Sequence, residues 1–148
     1  MQQLKDAIHN GHFILDLVAS DLDAAIEATV NKMVEDGILA ESVSEKVCDA
    51  LLKRERLAPT TIGHGVAVPH VYVEGITTQD VVFVRLNHPL NMGAPDGIPT
   101  RFVFFLLGPP GAAAAHLDTL ASIARLVSDD EFRYEVGVAK NVSEIEEA

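Results

Sequence analysis

The sequence predicts an α/β fold: a single layered domain whose mixed sheet carries helices on both faces. Three observations lead there. Residues 80–86 (DVVFVRL) and 101–107 (RFVFFLL) are nearly continuous in apolar side chains, the pattern of strands covered on both sides. Segments with apolar residues at helical spacing both precede and follow these runs. Some connections between strands are too short for a helical crossover, so parallel and antiparallel pairs should coexist.

The elements follow in order. Residues 4–10 read as a short helix or a mobile lead-in, and 12–17 as a strand. Ser20, with Asp23 three residues on, can cap a helix to about Glu35, and Gly37 stops it. Its inner stripe is Leu22, Ile26, Val30, Met33 and Val34. Ser42 and Glu45 suggest a capping box for a second helix, with Val43, Val47, Leu51 and Leu52 inward and Glu45, Lys46, Asp49 and Lys53 outward. Cys48 belongs to this pattern as a small buried hydrophobe, and Pro59 forbids continuation. Residues 66–68 form a short β-prone run ended by Pro69. Residues 87–100, rich in Pro, Gly, Asn and Asp, read as a loop, and Gly108-Pro-Pro-Gly111 as a second breaker. A helix is expected over about 112–128, with Leu117, Leu120, Ile123, Ala124 and Val127 on one side. A shorter helix is expected over 129–138, and residues 143–148 form an acidic tail that can fray.

The 148 residues suit one domain, 1–148, with mobile ends at 1–11 and 143–148. A net charge of -11 argues against a nucleic-acid binder, which needs a basic footprint, and disfavours an anionic membrane surface. It would steer a partner with a basic face. Aromatics are 5% of the chain, so aliphatic residues are expected to fill most of the core. The single cysteine rules out an intrachain disulfide and a cysteine-based zinc site. The start MQQLKDAIHNGHF has no secretory pattern, and the longest apolar run is too short to cross a bilayer. The expected location is the cytoplasm, with a cytoplasmic domain cut from a larger membrane protein as the variant reading.

Six histidines are present. His9 and His12 read as surface decoration near the start, and His88 as a loop-capping residue beside Pro89. His70 ends the run Gly63-His64-Gly65-Val66-Ala67-Val68-Pro69. There the glycines permit sharp geometry and close approach of another molecule, and Pro69 constrains the chain. An imidazole so delivered can attack phosphorus, act as a base, bind metal, or simply be a histidine satisfied near the core. His116 begins a helix, where free N–H groups suit a phosphate; capping or packing is the alternative. Arg54, in LLKRER, is either part of a solvated face or a guanidinium fork for phosphate oxygens. A zinc site from His64, His70 and His116 lacks diagnostic spacing. No dinucleotide fingerprint, P-loop or nucleophile elbow occurs. Asp129-Asp130-Glu131 reads as a helix cap.

The stretch from Arg54 to His70, RERLAPTTIGHGVAVPH, closely resembles the active-site motif of phosphotransferase-system enzyme IIA domains of the fructose/mannitol type, including the nitrogen-regulatory enzyme IIA proteins. Residues 116–133 resemble the family's second signature helix, and Met92-Gly93-Ala94-Pro95-Asp96-Gly97 a family loop. The resemblance implies a mixed, mostly five-stranded sheet between helices, and no cofactor or metal. It implies a phosphotransferase component in which His70 accepts a phosphoryl group from an HPr-like phosphocarrier protein. The group would then pass to an enzyme IIB or serve as a signal to a regulatory target. His116 matches the second active-site histidine, Arg54 the active-site arginine, Thr60 the motif threonine, and Gly65 lies within the motif. Two departures stand out: Val71-Tyr72 follows His70 where the family usually has a small residue, and the approach to His116 is Gly-Pro-Pro-Gly followed by alanines. Similar domains also accompany anion or bicarbonate transporters, so the alternative function is a non-catalytic regulatory domain of such a transporter.

Overall fold

The two apolar runs form the middle of the sheet. The computed structural model describes residues 11–147. In chain order it contains β1 (Gly11–Leu17), α1 (Leu22–Glu35), α2 (Glu41–Leu57), β2 (Thr61–Gly63), β3 (Val66–Ala67) and β4 (His70–Tyr72). There follow β5 (Asp80–Leu90), β6 (Thr100–Gly108), α3 (Ala113–Val127), α4 (Asp130–Val138) and α5 (Val142–Glu147). The expected lead-in at residues 4–10, with His9, lies outside the described residues.

The sheet order is β1-β5-β6-β3-β2, and β4 also pairs with β6. β1 runs parallel to β5, β5 antiparallel to β6, β3 and β4 parallel to β6, and β2 antiparallel to β3. The sheet is mixed, as expected, with six strands in five lanes. β3 and β4 share one lane: Val66 and Ala67 lie beside Phe102 and Val103, and His70 beside Leu106. The lane breaks because Pro69 has no N–H to give, although its carbonyl still accepts from the Leu106 amide at 2.9 Å.

Alternation along the strands builds two cores. Val82, Val84, Val103, Phe105 and Leu107 pack with Ile26, Met33, Val47 and Leu51 of α1 and α2. Val81, Phe83, Phe102, Phe104 and Leu106 pack with Ile123, Val127, Phe132, Val136 and Ile145 of α3, α4 and α5. The unbroken apolar runs thus reflect helices on both faces. The few aromatics carry more of the core than expected. Phe83, Phe104, Phe105 and Phe132 are fully buried, and the Phe83 ring lies 5.0 Å from Phe104 and 5.9 Å from Phe102. A phenylalanine fills the centre of a sheet sandwich with fewer residues than aliphatics would need.

Several local expectations are corrected. Asp21, not Ser20, caps α1, accepting the Ala24 amide at 2.8 Å from an extended backbone; Gly37 ends that helix with φ +74°. α2 begins at Glu41 without a side-chain cap, and the Ser44 hydroxyl bonds back to the Glu41 carbonyl, so no Ser42–Glu45 box forms. Its buried residues are Val47 and Leu51, with Val43, Cys48 and Leu52 half-buried. On α3 the inward residues are His116, Ile123, Leu126 and Val127, while Leu117 and Ala124 face solvent. His116 shares the stripe with Ile123 and Val127, as its spacing from them implies. β5 continues through residues expected in a loop, because Leu90 pairs with Thr100 after an irregularity that accommodates Pro89. The acidic end is not frayed: Ile145 is fully buried and Asn141 accepts the Glu144 amide at 3.0 Å, so α5 docks. Among the described residues no helix is long and apolar enough to cross a membrane.

Arg85 is the exception within the apolar run of β5. It is buried, and its guanidinium spans three elements. Nε and one terminal nitrogen each lie 3.1 Å from Asp16 carboxylate oxygens, and the other terminal nitrogen donates to the Val136 and Ala139 carbonyls at 3.0 and 2.6 Å. Asp16 reaches it from a left-handed backbone, φ +58°. A buried cation needs such full pairing. Arg85→Ala is expected to lose about 3 kcal/mol in urea unfolding, and Asp16→Asn, whose own carboxylate is largely solvent-exposed, about 1 kcal/mol.

Candidate functional site

The hairpin before His70 is built by its turn. Gly63, His64 and Gly65 all have positive φ (87°, 58° and 75°), the left-handed geometry that a two-residue hairpin requires. The chain's own 91–99 loop approaches these glycines. Asp96 accepts the His64 amide at 2.9 Å and the Ile98 amide at 3.1 Å. A Cβ on Gly65 would stand 3.2 Å from the Pro99 carbonyl oxygen. The His64 and Ile98 amides hold the Asp96 carboxyl below its usual range. His64 thus sits in the turn and points to no histidine cluster; among the described residues no group of three or more His, Cys, Asp or Glu side chains could hold a metal ion.

From this turn the lane runs through Pro69 to His70, the first residue of β4. The His70 Nδ1 lies 2.8 Å from the Val68 carbonyl. A carbonyl only accepts, so Nδ1 carries the proton and the lone pair of the neutral ring is on Nε2. Alternation places Val71 in the core beneath α2 and turns His70 and Tyr72 to the face covered by α3.

His116 meets them there. It is 1% exposed, and neither ring nitrogen has a hydrogen-bond partner of ordinary geometry. The Tyr72 ring lies against it, centroids 4.9 Å apart and planes at 35°. Gly108, the register partner of Tyr72, makes the slot: a Cβ there would stand 3.1 Å from His116 Nε2 and 3.0 Å from the Ala112 Cβ. Burial pushes the His116 pKa down from 6.5, and the nearby charge of His70 pushes the same way, opposed weakly by the Leu107 carbonyl. Both effects favour the neutral imidazole, which would bury one N–H and one lone pair.

Arg54 stands on α2. Its helix begins beside Gly75, which lies against Val43, and the chain beyond its end returns to place the Thr60 carbonyl 3.0 Å from the Val68 amide. The helix and the 68–75 segment thus run antiparallel. Arg54 stands on a helix that packs against the face of the sheet opposite α3. Its guanidinium donates to the Ala58 carbonyl at 3.0 Å. Among the described residues β4 pairs with β6 alone, so the route from Arg54 to His70 goes around an open strand edge. Thr60 is buried and gives its hydroxyl to Glu55, holding the end of α2 to the strand before His70.

The structure therefore brings His70 and His116 together and ties Thr60 to the approach. It places Arg54 near the end of α2, donating to the Ala58 carbonyl, and Gly65 in the turn at the far end of the lane. Tyr72 and Gly108 were not among the residues singled out as contributors. The signal for Tyr72 was its spacing of two from His70, which puts both on one face. Gly108 carried no such signal, since its slot depends on cross-strand register.

The family model described as "Phosphoenolpyruvate-dependent sugar phosphotransferase system, EIIA 2" matches residues 7–148. The chain belongs to this family. A nitrogen regulatory protein of Bradyrhizobium diazoefficiens is 33% identical over 89% of this chain and 91% of its own length. The crystal structure of the nitrogen regulatory protein IIA-Ntr from Neisseria meningitidis superposes with a TM-score of 0.83, at 26% identity and covering 97% of both chains. Enzyme IIA-mannitol of Escherichia coli, solved in complex with phosphorylated enzyme IIB-mannitol, shares the fold with a TM-score of 0.73 at 22% identity, covering 92% of each chain. None of these matches speaks for the anion-transporter alternative.

Two tests follow from the EIIA site geometry. The unfolded chain keeps the ordinary imidazole value of 6.5 at His116 while the folded chain binds that proton more weakly. Stability is therefore undiminished above the unfolded value, falls as pH drops through it, and levels off below the lowered folded value. Urea unfolding between about pH 7.5 and 5 should show this decline, and His116→Gln should flatten it. Gly108→Ala, which crowds the His116 slot, should lower stability by about 1–3 kcal/mol, read by thermal unfolding.

Proposed function

We propose that this chain is a phosphoryl-relay protein of enzyme IIA type, with His70 as the acceptor. The observation that carries the reading is the pairing of a nucleophile with a waiting donor. The His70 lone pair is on Nε2, and beside it lies a buried imidazole whose nitrogens have no partner. A buried unpaired polar group costs about 1–3 kcal/mol. A phosphoryl group on His70 offers the oxygens that relieve that cost, so His116 stabilises the charged group more than the empty site.

In the transfer step the Nε2 lone pair of His70 forms the new N–P bond as the donor's N–P bond breaks, and the donor nitrogen recovers the bonding pair. No proton leaves His70. The ring becomes cationic, and the Val68 carbonyl on Nδ1–H steadies that charge. The loose transition state places charge on the equatorial oxygens. The His116 N–H meets it from the α3 side, and Arg54, released from Ala58 and turned around the β4 edge, clamps it as a guanidinium fork. Thr60 and Gly65 act by fixing the approach strand and its turn.

The donor is an HPr-like phosphocarrier protein in the cytoplasm, whose basic face suits a chain of net charge -11. The acceptor is an enzyme IIB, such as the one bound in the mannitol complex, or a regulatory target of the kind served by nitrogen regulatory proteins. The similarity to the Bradyrhizobium protein, which extends over nearly all of both chains, favours the regulatory use.

Incubation with phosphoenolpyruvate, enzyme I and an HPr-like phosphocarrier should label the protein with one acid-labile, alkali-stable phosphoryl group. His70→Ala should take none. His116→Gln and Arg54→Met should keep the site but slow labelling, by about 100-fold for His116. Labelling of His70→Ala at the wild-type rate would overturn the assignment.

A further inference from the structure

We infer that Tyr72 is a positioning residue for His116: its ring closes the slot in which that imidazole waits and keeps water from the phosphoryl group carried by His70. The inference rests on the relay reading for its phosphoryl arm and on geometry alone for its His116 arm.

Three observations carry it. The Tyr72 and His116 rings are in contact at 4.9 Å. His116 is 1% exposed while Tyr72 is 37% exposed, so on this side a single aromatic ring separates the imidazole from bulk water. On the strand side Gly108 lies against both the His116 ring and Ala112, and Tyr72 pairs with Gly108. His70 and Tyr72 leave the same face of β4, which puts the ring beside the phosphoryl site as well as over His116. The groups facing His116 are His70 and Tyr72 from β4 and the Leu107 carbonyl from β6. None of these is an acid that would draw the imidazole into its charged form.

The chemical consequence concerns loss of the phosphoryl group to solvent. In that side reaction a water oxygen forms the O–P bond, the N–P bond breaks with its pair returning to Nε2 of His70, and the proton of the water leaves to solvent. Water must reach phosphorus on the side away from Nε2, and the same space must open for a partner's nucleophile. An aromatic ring at the rim slows entry of water while leaving the docking direction to a partner that can displace or flank it. Hydration of His116 would also weaken its hydrogen bond to the phosphoryl oxygens, since that bond gains strength from a dry surround.

The test compares wild type, Tyr72→Phe and Tyr72→Ala, each checked for folding by thermal unfolding. Two quantities are read: the NMR titration midpoint of His116 in the unphosphorylated protein, and the half-life of the phosphorylated form after removal of the donor. Tyr72→Ala should raise the His116 midpoint towards that of a solvated imidazole and shorten the half-life severalfold, since water then reaches the phosphoryl group more readily. Tyr72→Phe, which keeps the ring, should match wild type in both. An unchanged midpoint and half-life in Tyr72→Ala would overturn the inference, as would a Tyr72→Phe protein that behaves like Tyr72→Ala. If the wild type takes no phosphoryl group, the relay reading fails, and the His116 midpoint alone decides the role of Tyr72.

Discussion

The parallel pairing of β4 with β6 governs the site. Three register pairs, His70 with Leu106, Val71 with Leu107 and Tyr72 with Gly108, decide what each side chain can reach. Shifted by one residue, His70 would turn into the apolar layer under α2 and Val71 would take its place before His116. The register is held from both ends: the Pro69 carbonyl takes the Leu106 amide, and the Val73 amide gives to Gly108. The missing side chain at Gly108 matters for the same reason. It stands opposite Tyr72, at the position where the His116 ring must descend from α3 onto the sheet.

The cost of the arrangement is concentrated in His116. A buried imidazole with two unsatisfied nitrogens is a defect in an otherwise well-packed molecule. Apolar residues further along the same helix, Ile123, Leu126 and Val127, absorb the cost by anchoring α3 to the sheet independently of the histidine. In a relay protein this is a useful place for instability. The site is poor in hydrogen bonds when empty and complete when charged, so binding energy goes to the phosphorylated state.

Much of this was legible in the sequence, and the boundary of legibility is physical. Local patterns located the helices, both central strands and the two-sided covering, because alternation and helical spacing are properties of neighbours in the chain. The motif around His70 and the helix of His116 were recognisable as a set. What depended on partners distant in sequence was not. The Ser20 cap gave way to Asp21, whose extended backbone brings its carboxylate to the Ala24 amide. The acidic end looked mobile because the burial of Ile145 is a tertiary event. Arg85 read as one polar residue in a strand, since nothing local announces that Asp16 and two carbonyls at the end of α4 converge on it. Arg54 was matched by its place in a motif, but its position on the opposite layer from His70 follows only from how α2 lies on β4.

Arg85 has a consequence for how this chain can diverge. Its guanidinium is shared among the first strand, the central strand and a helix near the other end of the chain, and two of its partners are backbone carbonyls that no substitution removes. Position 85 is therefore constrained by parts of the molecule that cannot mutate away, whereas the acid at 16 can be replaced more readily. In related sequences a change at 85 should be rarer than a change at 16. The pair offers a structural marker for tracing lineages that is independent of the histidines.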